Sequence, residues 1–186
     1  MLAYVFWHWP NPDIDDATYR DLLHNFHKTL NANQPRGFLR SVAFAVSELP
    51  LQTTSQPGFE DWYLLEDSAS LDILNEAAVS GACEEPHNLV ARQAGDGTAG
   101  LYRLLSGSDS LASAEYATWF RKPARMSYQD LYSKLSSLGA VDRAGLWQRQ
   151  MTLGQTTEFA IYSAALLKQP DLRGIQTNEL QRVWPD

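Results

Sequence analysis

The sequence predicts an α+β protein in which one chain lays down two βαββαβ units in tandem. Three observations carry this. The aromatic stretch at the start of the chain is mirrored after residue 115, so that Tyr4 and Trp7 match Tyr116 and Trp119. Each stretch runs into a proline and then into a matching helix start, Thr18-Tyr19-Arg20-Asp21-Leu22 against Ser127-Tyr128-Gln129-Asp130-Leu131. Further blocks follow in the same order: Gly37-Phe38-Leu39 with Gly145-Leu146-Trp147, Asp61-Trp62-Tyr63-Leu64 with Glu158-Phe159-Ala160-Ile161, and Leu101-Tyr102-Arg103-Leu104 with Leu180-Gln181-Arg182-Val183. Self-similarity kept in order is how a duplicated unit shows itself.

In the first unit, Tyr4 to Trp9 is aromatic and β-branched and stops at Pro10-Asn11-Pro12, which cannot continue a strand ladder. Asp15 or Asp16 can cap the next helix, whose Tyr19, Leu22, Leu23, Phe26 and Leu30 share one face. Residues 41 to 47 and 60 to 65 supply two strands, separated by a loop carrying Pro50, Pro57 and Gly58. Asp67 or Ser68 caps a second helix from Ala69 to Val79. An extra helical turn or two is expected over Pro86 to Ala94, and Leu101 to Leu105 closes the unit as a strand. Gly107 to Ser113 is the linker. The second unit repeats the plan with strands over 115 to 121, 146 to 153, 157 to 162 and 179 to 184. Its first helix covers 127 to 138, capped by Ser127, and a shortened second helix lies near Ala164 to Lys168.

A chain of 186 residues, 44% hydrophobic and 20% charged, can bury a proper core. The net charge of -7 disfavours nucleic acid, no apolar run reaches membrane-spanning length, and the lone Cys83 cannot close an intrachain disulfide. The start of the chain has no basic leader. The expectation is a cytoplasmic protein with neither nucleic acid nor membrane as partner.

Two units of the ferredoxin-like βαββαβ kind, residues 1–108 and 113–186, can pack sheet against sheet with helices outside as one compact barrel. On the strand end Trp119-Phe120-Arg121-Lys122-Pro123, the helix after it and the repeat itself, the chain resembles the dimeric α+β barrel superfamily. The form is the fused, two-repeat one, in a subfamily of unassigned function. The resemblance spans most of the chain and is one of architecture. It implies kinship with monooxygenase-like and muconolactone isomerase-like enzymes, with haem-handling proteins such as chlorite dismutase, and with members lacking an assigned activity. Fold alone does not choose among them.

Alternation along the strands sorts their residues by face. Trp62 and Leu64, matched to Phe159 and Ile161, are placed under the helices. Asp61, Tyr63 and Leu65 then face the barrel interior with Tyr4, Phe6 and His8, matched by Tyr116, Thr118 and Phe120. This predicts an aromatic small-molecule pocket inside the barrel. His8, Asp61 and Tyr63 are the candidate catalytic groups. Phe6, Trp9 and Phe120 are candidate walls, and His87 and Arg121 further ligand-binding candidates. A cofactor-independent oxygenase or isomerase, or a binder, would use such a pocket. Each residue has a plainer role: His8 as a strand-end cap, Asp61 paired to an arginine, Arg121 and Lys122 solvated. The six Trp and eight Tyr are also enough to fill the barrel outright, leaving a structural or interaction protein.

No cofactor is predicted, with haem as the alternative through His87 or His8. His24 and His27 are three apart on a helix, but the apolar stripe leaves His24 outward and His27 at its flank without a third ligand, so no metal is expected. Gly95 to Gly100, reading GDGTAG, lacks the Gly-Lys-Ser/Thr ending of a phosphate loop and is read as a tight turn. Cys83 follows a helix end, which disfavours covalent catalysis. A homodimer through exposed sheet edges remains an alternative to a self-sufficient fused chain.

Overall fold

The computed structural model describes residues 1–50, 56–137, 144–151, 157–167 and 174–185. Its first half contains β1 (Leu2–Pro10), α1 (Asp16–Asn33), β2 (Phe38–Val46), β3 (Gly58–Leu65), α2 (Ala69–Ala78), α3 (Glu84–Gln93) and β4 (Ala94–Ser106). The second contains β5 (Tyr116–Phe120), α4 (Tyr128–Ser137), β6 (Gly145–Gln150), β7 (Phe159–Ser163) and β8 (Gln176–Trp184). The strands form a closed antiparallel barrel in the order β1-β3-β2-β8-β5-β7-β6-β4. The halves join at β2 against β8 and at β4 against β6. Closure uses up the sheet edges within one chain, which removes the basis for an edge-to-edge homodimer.

Local chemistry explains the helices. Asp15 accepts the Thr18 amide at 2.9 Å and caps α1. Asp67 takes the Ser70 amide at 3.1 Å before α2, and Ser127 takes the Asp130 amide at 3.0 Å before α4. The buried stripe of α1 is Tyr19, Leu23, Phe26, His27 and Leu30, the 4-3-1-3 spacing of a helix laid on a sheet. His27 is therefore core, where a flank position was expected, and Leu22 is only half-buried.

The barrel interior is filled by side chains. Trp7, Trp62, Trp119, Trp147, Tyr102 and Tyr162 are fully buried and meet mostly edge to face, as at Trp62–Trp147 (5.1 Å, 63°) and Trp7–Trp119 (5.5 Å, 70°). Trp62 faces Val5 across the β1–β3 ladder and Trp7 faces Glu60, so this face of both strands points inward. The expected faces of these strands are thus exchanged: Tyr4, Phe6 and His8, with Asp61 and Tyr63, lie under the helices. The ladders show why. Trp7 pairs Glu60 where Trp119 pairs Ala160, so Trp62 corresponds to Tyr162. Matching Asp61-Trp62 to Glu158-Phe159 slips the register by an odd number of residues, and an odd slip turns every side chain over. The β7 faces themselves are as expected, Phe159 and Ile161 under α4 and Ala160 and Tyr162 inside.

Other expectations change in detail. Gly95 to Gly100 lies within β4 and pairs with β1, Gly97 opposite His8 and Gly100 opposite Val5. The glycines are room-makers: a Cβ on Gly97 would stand 2.6 Å from the Phe6 ring. The extra turn after α2 is the ten-residue helix α3. No helix forms over 164–167, and residue 168 lies outside the described residues. Among the described residues no helix is long and apolar enough to cross a membrane. Cys83 is buried, and burial pushes its thiol up, away from the reactive thiolate.

Glu60 is a carboxyl inside this aromatic packing. Burial pushes it up to about 7, against the Tyr162 hydroxyl that donates to Oε2 and the indoles of Trp7, Trp62 and Trp119 around it, which favour the charge. The Trp7 and Trp119 N–H groups stop short of hydrogen-bond geometry, so desolvation prevails. Folding therefore favours the protonated acid. Stability from this group is full below its ordinary value of 4.5 and falls as pH rises through about 7. Glu60→Gln is expected to flatten that decline, read as urea midpoints from pH 4.5 to 8.5. Trp119→Ala, which opens the centre of the packing, should cost about 3–5 kcal/mol by the same urea unfolding.

Candidate functional site

Beneath the first-half helices, β1 and β3 set polar groups in a row. Phe6 pairs Asp61, Tyr4 pairs Tyr63 and His8 pairs Phe59. Since alternation sends Trp7 and Trp62 inward, Tyr4, Phe6, His8, Asp61 and Tyr63 share the outer face, and α1 lays Tyr19 and His27 on top of it. Asp61 is 2% exposed. Its Oδ2 lies 3.1 Å from His8 Nε2, 3.3 Å from His27 Nε2 and 3.3 Å from the Tyr63 hydroxyl. The His8 contact is a hydrogen bond, whereas His27 sits at ion-pair distance with its N–H off line.

The remaining ring nitrogens are also engaged. His8 Nδ1 is 2.8 Å from the Tyr19 hydroxyl, and His27 Nδ1 is 2.8 Å from Ser41 Oγ. Asn31 Oδ1 accepts the Ser41 amide, which turns the Asn31 Nδ2 donor onto Ser41 Oγ at 2.6 Å. Ser41 thus has its own proton left for His27 Nδ1, and the His27 Nε2 proton faces Asp61. Both imidazoles thus turn Nε2 toward one carboxylate. Aromatic packing fixes the rings: His8 lies between Phe6 (4.8 Å, 16°) and Phe59 (5.6 Å, 18°), and His27 stacks on Tyr63 (5.4 Å, 22°).

Burial alone would raise the Asp61 carboxyl. The two histidines outweigh it, first by charge and then by hydrogen bonding, and hold it well below the usual carboxylate range. Burial and the Asp61 charge push the Tyr63 and Tyr19 phenols up, so both keep their protons. Asp61 Oδ1 has no hydrogen-bond partner.

Asp61 and Tyr63 lie in the surface of a cavity of about 580 Å³ between the sheet and α1, α2 and α3. Tyr4, Phe6 and Phe26 give it aromatic walls, and Leu71, Leu74 and Val90 continue them from α2 and α3. His87 of α3 borders it, edge-on to Phe26 at 5.7 Å, with Nδ1 unpartnered. Gly97 borders it too, and its missing side chain leaves space for Phe6 to lie over His8.

Of the residues singled out from sequence, the structure brings Phe6, Asp61, Tyr63 and His87 to this cavity, with His8 directly behind Asp61. The cavity lies outside the barrel, because the tryptophans occupy the inside. Trp9 packs against the barrel interior instead. Phe120 is buried under α4, stacked on Phe159 at 5.3 Å, and Arg121 is exposed at the end of β5. The plainer roles considered for His8 and Asp61 fail as well: His8 caps no strand end, and Asp61 is held by histidines where an arginine was considered. Tyr19, expected only as core, His27, expected at the flank of α1, and Ser41 join the site without having been singled out for it, although the helical spacing of His27 from Tyr19 and Leu23 was a usable signal. His24 lies away from the site, edge-on to Trp184. Among the described residues no three or more His, Cys, Asp or Glu side chains are grouped to hold a metal ion.

No protein-family model matches this chain, and no curated protein matches it in sequence. Solved structures do match. A proposed monooxygenase from Fusobacterium nucleatum subsp. nucleatum ATCC 25586 superposes with a TM-score of 0.60 at 8% identity, over 98% of this chain and 92% of that one. A proposed monooxygenase from Lactobacillus acidophilus NCFM gives 0.52 at 10%, over 98% and 93%. A proposed chlorite dismutase gives 0.50 at 9%, over 98% and 95%. These likenesses establish the fold, a closed α+β barrel.

Asp61→Asn is expected to lower stability at pH 7 by about 3–5 kcal/mol, the usual cost of breaking a buried charge arrangement from one side. The sign follows from its lowered carboxyl: the stability it contributes is present above about pH 4 and is lost as pH falls below that. The variant should therefore show a shallower loss of urea midpoint between pH 5 and pH 2 than the parent.

Proposed function

We propose that this chain is a small-molecule-binding protein of the fused two-repeat kind, with its ligand in the cavity between the first half-sheet and the helices. The half-barrels, β4-β1-β3-β2 and β8-β5-β7-β6, share one strand order, which supports reading them as tandem ferredoxin-like repeats. The observation that carries the function is Asp61: a buried carboxylate, one oxygen of which has no hydrogen-bond partner, bordering an otherwise mostly apolar cavity. A buried polar atom without a partner costs free energy, and a ligand hydrogen-bonded there recovers it. Apolar walls with few oriented polar groups are the ordinary make-up of such a site.

The residues divide by reach. Asp61 and Tyr63 border the cavity and orient the ligand, and Tyr63 keeps a proton to donate. His8 is fully buried with both nitrogens engaged and does not border the cavity, so it and His27 are positioning residues that hold the carboxylate. An isomerase-like or cofactor-independent oxygenase reaction would need Asp61 as the proton acceptor. A carboxylate held so far below neutrality is a weak base, which favours binding and orientation over proton abstraction.

Haem is the less suitable occupant. His87 Nδ1 is available, but the cavity carries Asp61, Asp72 and Asp96, and among the described residues no Lys or Arg borders it to meet propionates. Titration with hemin is expected to give no Soret shift that depends on His87.

The direct test is native mass spectrometry of the purified chain beside Leu71→Trp, which blocks the cavity from α2. An adduct in the parent that denaturation releases, absent from a Leu71→Trp protein of unchanged melting temperature, supports the reading. An adduct that persists in Leu71→Trp places the ligand elsewhere. A bare parent that also binds nothing from an NMR fragment library refutes the reading.

A further inference from the structure

We infer that the ligand is a cation, a protonated amine on an aromatic or apolar body, with its ammonium group against Asp61 Oδ1. This rests on the cavity being the ligand site. The charge balance around the cavity favours it. The polar end of the cavity holds Asp61, and Asp72 of α2 and Asp96 of β4 stand exposed at its rim. Among the described residues no Lys or Arg borders the space. The histidines behind Asp61 hold it through Oδ2, and their Nδ1 atoms are engaged by Tyr19 and Ser41. Asp61 Oδ1 is left without a hydrogen-bond partner.

The walls suit the same ligand. Tyr4, Phe6, Phe26 and Tyr63 line the cavity together with Asp61, and aromatic rings attract cations, most strongly where water is excluded. A charge-assisted hydrogen bond from ammonium to carboxylate is roughly twice as strong as a neutral one. His87 Nδ1, unpartnered at the α3 side, is a further acceptor for a second N–H. A carboxylate or phosphate ligand would meet Asp61, Asp72 and Asp96 with no Lys or Arg bordering the space among the described residues. A neutral ligand would gain the walls and lose the charge-assisted bond.

The test uses three indole probes of one shape, tryptamine, tryptophol and indole-3-propionate, titrated by calorimetry at pH 7.5 against the full chain, Asp61→Asn, Leu71→Trp and Asp72→Asn/Asp96→Asn. Tryptamine is expected to bind about tenfold or more tighter than tryptophol, the gain of a charge-assisted bond over a neutral one in a dry site. Indole-3-propionate should be weakest. Asp61→Asn should bring tryptamine to the level of tryptophol while tryptophol still binds. If Asp61→Asn does not fold, the rim double variant, whose substitutions are exposed, is expected to reduce the tryptamine preference about threefold and leave tryptophol unchanged, as screened surface charges do. Equal binding of amine and alcohol in the parent, or tightest binding of the acid, overturns the cation assignment and leaves the pocket standing, provided Leu71→Trp abolishes that binding. Binding that Leu71→Trp does not change, or no binding of any probe to the parent, overturns the pocket reading and the cation with it.

Discussion

The packing of four tryptophans and two tyrosines inside the barrel is the constraint on which the rest depends. Trp7 and Trp62 come from one half, Trp119 and Trp147 from the other, and they meet edge to face across the axis. Rings of this size fill an eight-stranded barrel. The interior then serves to weld the halves together, and the groups able to meet a ligand lie on the outer face, where α1, α2 and α3 do not close fully over the sheet. The small residues of β4 follow from the same crowding, since Gly100 faces the Trp7 and Tyr102 rings at contact distance.

Glu60 and Asp61 show how much one step along a strand decides. They are adjacent in sequence and both buried, yet their protons are held in opposite senses. Glu60 points into the barrel, where burial dominates and the carboxyl titrates near neutrality. Asp61 points under the helices, where two histidines more than offset the same burial. The histidines are themselves held by Tyr19 and Ser41, and Ser41 by Asn31, so the charge at the cavity wall is the end of a hydrogen-bonded chain that starts on α1 and β2. Such a chain is costly if half satisfied and rigid when complete. Here it leaves one oxygen of a cavity-lining carboxylate without a partner.

The parts of this molecule legible in the sequence were those written locally. The alternation of Tyr4, Phe6 and His8 grouped them correctly, as it grouped Asp61 with Tyr63, because the two-residue period of a strand is a property of its own backbone. Helix caps at Asp15, Asp67 and Ser127 followed from side-chain chemistry within a few residues. The order of the strands and of the first-half helices followed from proline breaks and helical spacing, and Trp7 and Trp119 both point into the barrel. Where reading failed, the missing information was non-local. Nothing in Asp61-Trp62-Tyr63 itself says which alternate set is inside; that is settled by the pairing of Trp7 with Glu60 across the ladder.

His27 illustrates the boundary well. Its spacing from Tyr19 and Leu23 is that of the buried side of α1, although the apolar stripe read alone puts it at the flank, and only the packing of that helix over β3 brings it to Asp61, far away along the chain. The sequence by itself determined the order of the strands and of the first-half helices, the caps, the two alternating faces and the cast of Asp61, Tyr63, Phe6 and His8. The tertiary structure alone decided which face lined the barrel, that the cavity lay outside it, and that His8, His27 and Asp61 formed one charge-holding group. The physical reason is that periodicity and capping act over a few bonds, whereas the filling of a closed barrel and the satisfaction of a buried carboxylate depend on which distant side chains share the same space.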